Sequence, residues 1–282
     1  GSTTVNRSYG IDALGNVKSI TDSIFGSHSY KYNERDFLEV EDGKKYEYDS
    51  NGNITKAGAA TFTYDSIIKD RLKTVNGKEI IYGSNPLNPS KYNGNIYEFE
   101  GRQLTRFNNN YYTYNNQGLR VKKIINTMPI QYYYDRDKLI TEISPFYRLD
   151  FLYDEYDELY GLIFNETQKY FYIKDHLQNI LGIVDTDGVL VVKYSCDAWG
   201  NHIVLDNNNV ENTSHNFIGN LNPFRYKGYY YDTESNMYYC KSRYYVPEWC
   251  RWLNADSIVF NFKMGFGAIN CCNVFNYCFN NP

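Results

Sequence analysis

The sequence predicts an all-β protein, a spiral of antiparallel β-hairpins followed by a distinct C-terminal segment. Three observations predict it. Tyrosine is abundant, 31 of 282 residues, against 3 Met and 3 Trp. A short aromatic repeat recurs at intervals of roughly twenty residues. No long window carries a sustained helical period with caps. Tyrosine joins a large apolar ring to a polar tip, which suits sheets wet on one face, and its strand propensity is high.

The repeat is aromatic-x-aromatic-Asp or Asn, then a few polar residues often containing Gly, then an aliphatic restart. It begins at Tyr30-Lys31-Tyr32-Asn33 and continues at Tyr46-Glu47-Tyr48-Asp49 and Phe62-Thr63-Tyr64-Asp65. It resumes at Tyr112-Thr113-Tyr114-Asn115, Tyr132-Tyr133-Tyr134-Asp135 and Phe151-Leu152-Tyr153-Asp154. Weaker copies are Tyr170-Phe171-Tyr172 with Asp175, and Lys193-Tyr194 with Asp197. The central tyrosines are 16 to 22 residues apart except for one gap of 50, where Tyr82 and Phe99 are the expected anchors.

Alternation places both rings of a repeat on one strand face. The Asp or Asn at the strand end accepts backbone N–H groups and starts a turn. Gly or Asn then adopts φ > 0 at little cost. One hairpin cannot bury its own face, but stacked neighbours can, so the expected product is a coiled ribbon of hairpins. About fourteen hairpins make a short ribbon with exposed edges, which leaves edge-to-edge homodimerisation open. The repeat region is assigned to 3–206 and a polar connecting loop, containing His215 and Gly219, to 207–221. A distinct segment follows over 222–282. Asn270 to Phe279 is a candidate short helix.

Composition excludes several classes. Hydrophobic residues make up 42% of the chain, enough for a sizeable core. A net charge of −4 argues against nucleic acid or an anionic membrane as the main partner. There is no run of about 18 apolar residues, hence no expected membrane span, and no signal peptide. Gly1-Ser2 reads as a tag-cleavage scar, which makes the chain a fragment. Cys196, Cys240, Cys250, Cys271, Cys272 and Cys278 form no paired C-x-x-C array with histidines nearby. Buried free thiols are therefore expected, with one disulfide as the alternative, and neither metal nor cofactor. His28, His176, His202 and His215 are scattered, mostly beside turns, and read as surface or turn residues and not as ligands or bases. The acids Asp154, Glu155, Asp157 and Glu158 lack a calcium-loop pattern and read as a solvated turn.

The segment from Asn222 to Asp256 carries the most specific signal. It contains Asn222-Pro223-Phe224-Arg225-Tyr226, Gly228, Asp232, Tyr238-Tyr239, Arg243-Tyr244-Tyr245, Pro247 and Arg251-Trp252. In order and spacing it resembles the core segment of Rhs and YD-repeat proteins, and the upstream repeats are similar to YD repeats. Two departures stand out. Val246 precedes Pro247 where the family has Asp, and Cys250 replaces a Gly before Arg251. A Gly position needing φ > 0 would be strained as Cys by about 1–2 kcal/mol. The end, Asn273 to Pro282, resembles the family's closing element.

The resemblance implies a bacterial, secreted or cell-surface polymorphic toxin whose repeats wrap a C-terminal toxin cargo and whose C-terminal core segment curls inward to plug one end. It also implies autoproteolysis of aspartic type, with Asp256 as one carboxylate. No acid follows Asp256, so the second carboxylate would have to be Asp232, Glu248 or a residue beyond Pro282. A structural cap is the competing role for Asp256, and a turnover enzyme is not expected of this fragment. Arg225, Arg243 and Arg251 recur beside aromatics and are expected to stack on rings and pair with carboxylates. Three functions follow: an encapsulating shell module, a carbohydrate- or cell-surface-binding module using exposed tyrosine rows, and a self-cleaving domain. An AT-rich bacterial composition disfavours the animal adhesion proteins that share the repeats.

Overall fold

The computed structural model describes residues 3–256 and 273–282. Gly1, Ser2, Cys271, Cys272 and the first part of the candidate helix lie outside them. The remainder of that candidate, from Asn273, forms turns and a 3-10 turn at Cys278–Asn280 instead of an α-helix. Its Phe279 has φ 51°, which breaks helical continuity.

The chain is all-β, as expected, and divides into two compact modules. The first comprises Asn6–Arg102 with Arg243–Pro282, the second Gly1–Val5 with Gln103–Ser242. Each joins a stretch of the repeat region to part of the C-terminal segment, so the modules do not follow the 206/222 boundary. In the first, eleven strands from Arg7–Ile11 to Asn95–Glu100 pair antiparallel, each with the next. In the second, eleven more run from Gln103–Phe107 to His202–Leu205 in the same way.

One turn is used again and again. At Asp49 the side-chain Oδ1 accepts the N–H groups of Asn51 and Asn53, each at 2.9 Å. The Asn115 turn is the same, with Gln117 and Leu119 donating at 3.0 Å. The fourth residue is left-handed, as with Gly52 at φ 82° and Gly118 at φ 81°. The acid thus satisfies turn amides that the strands cannot reach. Asp12, Asp185 and Asp206 form this turn too, without the aromatic pair that marks the other copies.

Many of these turns are flanked by a bulge, where the register slips beside the last residue of the incoming strand: between Glu47 and Tyr48, Thr63 and Tyr64, Thr113 and Tyr114. The extra residue shifts the side-chain alternation of the return strand. Inward positions then fall three apart. Leu38 and Glu41, Ile54 and Ala57, Leu72 and Val75, Leu104 and Phe107 are all buried pairs of this kind.

The tyrosine before the acid ties neighbouring repeats together. Its hydroxyl donates to the carbonyl that restarts the previous hairpin: Tyr48 to Leu38 at 2.6 Å, Tyr64 to Ile54 at 2.7 Å, Tyr114 to Leu104 at 2.8 Å. Tyr32, Tyr82, Tyr134 and Tyr153 do the same with Val17, Leu72, Arg120 and Leu139. The expected anchor Tyr82 therefore makes the same bond, although Gly83 follows it in place of a turn acid.

Replacing one such tyrosine by phenylalanine removes the donor and keeps the ring. Tyr48→Phe and Tyr114→Phe should each destabilise by about 1 kcal/mol. In the double variant the two costs should add, because the sites share no partner; urea unfolding of the three variants checks this.

Candidate functional site

The second module holds a connected set of buried charged groups. The strand Arg120–Ile125 follows the Asn115 turn, and its bulge leaves Tyr112 opposite Lys123 and Tyr114 opposite Arg120. Arg120 and Lys123 both therefore face inward, 1% and 5% exposed. A strict alternation would have sent them to opposite faces. Glu142 holds the equivalent inward position in the strand Lys138–Ile143, three residues after Leu139.

Asp232 of the C-terminal segment meets these groups, in the short strand Tyr230–Asp232 paired with Met237–Cys240. Its two oxygens accept from the Arg120 guanidinium at 2.5 and 2.8 Å, and Oδ1 also accepts from Lys123 Nζ at 2.9 Å. Glu234 takes Lys123 at 3.2 Å and the Tyr112 hydroxyl at 3.0 Å. Four rings surround the guanidinium, those of Tyr112, Tyr132, Tyr230 and Tyr239, with centroids 4.3–5.3 Å away. Glu142 accepts the hydroxyls of Tyr147 and Tyr230, each at 2.7 Å.

Burial alone would raise the Asp232 carboxyl, but the charges and hydrogen bonds of Arg120 and Lys123 outweigh it and hold it below the ordinary value. Burial lifts Glu142, and Lys123 with the two tyrosines offsets only part of that. Burial would lower Lys123, yet Asp232 and Glu234 raise it instead.

A second cluster surrounds Asn222 and Arg225. Asn222 is fully buried; it accepts the Tyr172 hydroxyl at 2.8 Å and donates to Tyr194 at 3.1 Å and to the Phe224 carbonyl at 2.7 Å. The last repeat tyrosines thus bind this segment in place of a preceding hairpin. Arg225 donates to the carbonyls of Asn222, Gly219 and Asn220, each at 3.3 Å, and to His202 Nε2, and lies over the Tyr231 ring. With Nε2 accepting, His202 Nδ1–H donates to the Tyr238 oxygen at 3.0 Å, and Tyr238 donates to the Gly200 carbonyl at 2.9 Å. Gly200 is needed here: its φ is 85°, and a Cβ would stand 2.7 Å from the Tyr226 ring. The Tyr226 hydroxyl donates to the Ala198 carbonyl at 2.8 Å.

Two expectations are corrected. His202 is not a surface residue: burial, reinforced by Arg225, lowers it to about 3, so the imidazole stays neutral. Arg225 is satisfied by carbonyls and an imidazole in place of a carboxylate. The polar stretch 207–221 also contains a helical turn, Ile218–Leu221. There a Cβ on Gly219 would lie 2.7 Å from Val192 and Val204.

The remaining motif residues are distributed as follows. Pro223 is buried and its carbonyl accepts Tyr231 N–H at 2.8 Å. Gly228 has φ 66°. The Tyr239 hydroxyl accepts the Arg120 N–H at 3.0 Å.

In the first module Tyr244 and Tyr245 are buried, and the Tyr245 ring lies 4.1 Å from Tyr277. Pro247 opens a 3-10 turn that ends at Cys250, whose φ is 55°. Cys250 is thus a buried non-glycine in the left-handed conformation. Arg251 donates to the Asp70 carbonyl at 2.5 Å between the rings of Tyr64 and Phe275. Arg243 lies 3.9 Å over Trp252 and forms an ion pair with Asp256 at 2.9 Å. Asp256, the catalytic candidate, is thus held by a cation. Asp232, one proposed partner, has both oxygens committed to Arg120 and Lys123. Of the described thiols only Cys250 is buried; Cys196 and Cys240 are half-buried and Cys278 is exposed, and none of the four is in a disulfide. Asp154 caps its own turn and Asp157 pairs with Lys138. Among the described residues no cluster of three metal-ligating side chains occurs, and no helix is long and apolar enough to cross a membrane.

No family model matches the chain. Among curated proteins it is 28% identical over 246 residues to the tRNA3(Ser)-specific nuclease WapA of Bacillus spizizenii, covering 85% of this chain and 9% of that protein. To the tRNA nuclease WapA of Bacillus subtilis strain 168 it is 29% identical, with the same coverage. The chain thus spans about 9% of the length of these relatives. A crystal structure of TcdB2-TccC3-Cdc42 superposes with a TM-score of 0.67 at 15% identity, over 99% of this chain and 17% of that one. The Tc holotoxin pore of Photorhabdus luminescens gives 0.64 at 14% identity, over 99% and 16%. The fold is therefore the β-rich fold of Rhs-like proteins.

Two measurements test the site. Asp232→Asn leaves Arg120 and Lys123 buried with too little counter-charge and should cost about 3–5 kcal/mol in denaturant unfolding. His202 has a lowered folded pKa, so between its ordinary value of 6.5 and about 3 the unfolded chain binds one more proton. Its contribution is intact above that window and is lost as pH falls through it. His202→Gln, which still accepts from Arg225, should flatten the fall in stability by up to about 1.4 kcal/mol per pH unit there.

Proposed function

We propose that this chain is a structural module of a secreted, toxin-related Rhs protein, part of a wall that encloses a C-terminal toxin in the full-length protein. The observation that carries this reading is how the C-terminal motif uses its polar groups. Asn222, Arg225, Asp232 and Arg251 are all buried, and each is satisfied by the hairpins of its own module or by its own segment. They anchor a plug to a wall and leave no reactive group poised for substrate. The likeness to nuclease toxins and to TccC3-containing structures supports the same reading by analogy of fold. Asp256 serves in it as the partner of Arg243, a structural role.

The test uses the full-length protein from its natural gene. Limited proteolysis should leave the sequence after Pro282 protected until the hairpins unfold, and Asp232→Asn should expose it at lower denaturant. Digestion of that sequence in the native protein as fast as in isolation would contradict enclosure.

A further inference from the structure

A cavity of about 200 Å³ opens beside the Arg120–Asp232 pair, within the second module. Tyr132, Tyr134, Tyr230, Tyr239, Phe224 and Leu139 form most of its wall. Cys240 contributes to the lining, as do Lys241 and Asp137, whose exposed side chains form an ion pair at 2.5 Å.

The lining decides what could enter. Its charges are balanced internally: Arg120 is held bidentate by Asp232, and Lys241 by Asp137. A charged ligand would lose hydration and find no counter-ion. The tyrosine hydroxyls are committed as well. Tyr132 bonds Tyr230, Tyr230 donates to Glu142, and Tyr134 and Tyr239 bond the Arg120 backbone. A sugar would bury hydroxyls among groups already satisfied, each at a cost. Ring faces and edges are what remains. Phe224 and Tyr132 each stand edge-on to Tyr230, at 6.0 and 5.7 Å, an arrangement that a further ring can extend. The volume exceeds the roughly 150 Å³ of an apolar cavity that accepts benzene.

We propose that this cavity is a binding site for a small, uncharged aromatic compound of one or two fused rings. The site is independent of the enclosing role above and survives its failure.

Cys240 is a built-in reporter. The whole chain is treated with iodoacetamide, and alkylation of Cys240 is followed by peptide mass spectrometry, with exposed Cys278 as internal reference. Indole is the probe, cyclohexanol the apolar non-aromatic control, and glucose the sugar control. At about ten times its dissociation constant, indole should slow alkylation of Cys240 about tenfold and leave Cys278 unchanged. Cyclohexanol and glucose should leave the alkylation of both thiols unchanged. Leu139→Phe, which fills the cavity, should abolish the indole effect. Indole that fails to protect Cys240 up to its solubility limit, or cyclohexanol that protects as well as indole, overturns the proposal. So does protection that persists in Leu139→Phe. If that variant does not fold, the wild-type contrast between indole and cyclohexanol decides alone.

Discussion

The hydroxyl of the tyrosine that ends the incoming strand of a repeat sets the geometry on which the rest depends. It donates to the carbonyl that restarts the previous hairpin, and does so at Tyr32, Tyr48, Tyr64, Tyr82, Tyr114, Tyr134 and Tyr153. That carbonyl lies beside a bulge, where the ladder cannot supply a partner. The tyrosine satisfies it and fixes the step between neighbours. A hairpin in this arrangement depends on the one before it. The bulge has a second effect, because it turns a strand of period two into one whose inward residues stand three apart.

That shift brings charge into the interior. At the inward positions most repeats place Leu, Ile, Val, Ala or Phe; the second module places Arg120, Lys123 and Glu142. Burying these without partners would cost several kcal/mol each. The C-terminal segment supplies Asp232, Glu234 and the Tyr230 hydroxyl at those points. Such a network adds little net stability over an apolar core, but it is selective. A segment displaced by one residue would bring Tyr231 or Thr233 to the guanidinium in place of a carboxylate. In the first module the corresponding work is done by Arg251 on the Asp70 carbonyl and by the amides of Asn273 and Asn280 on Asn53 and Gly52.

Much of this was legible in the sequence, for definable reasons. The aromatic-x-aromatic-Asp pattern gave the strands and turns because each position has one physical duty. Asp12, Asp185 and Asp206 escaped because they keep the turn acid without the ring pair. The C-terminal motif marked Asn222, Arg225, Asp232 and Arg251 as important but not their partners. Arg120 and Lys123 lie in Leu119-Arg120-Val121-Lys122-Lys123, an ordinary solvated strand by alternation. Only the bulge at Val121 turns both inward, and a bulge depends on pairing with another strand. His202 beside a turn looks exposed until Arg225 and Tyr238, more than twenty residues away, fold over it. The candidate helix Asn270 to Phe279 does not continue through its described end, because Cys278, Phe279 and Asn280 are left-handed.

The central claim is that the hairpins of the second module and the segment that supplies their counter-charges are one cooperative structure. Native-state hydrogen exchange tests it most directly. Amides in Arg120–Ile125 and Lys138–Ile143 should open with the same free energy as those in Tyr230–Asp232 and Met237–Cys240. Strands that stay protected while the C-terminal segment exchanges would show that the hairpins stand without it, and would contradict the account.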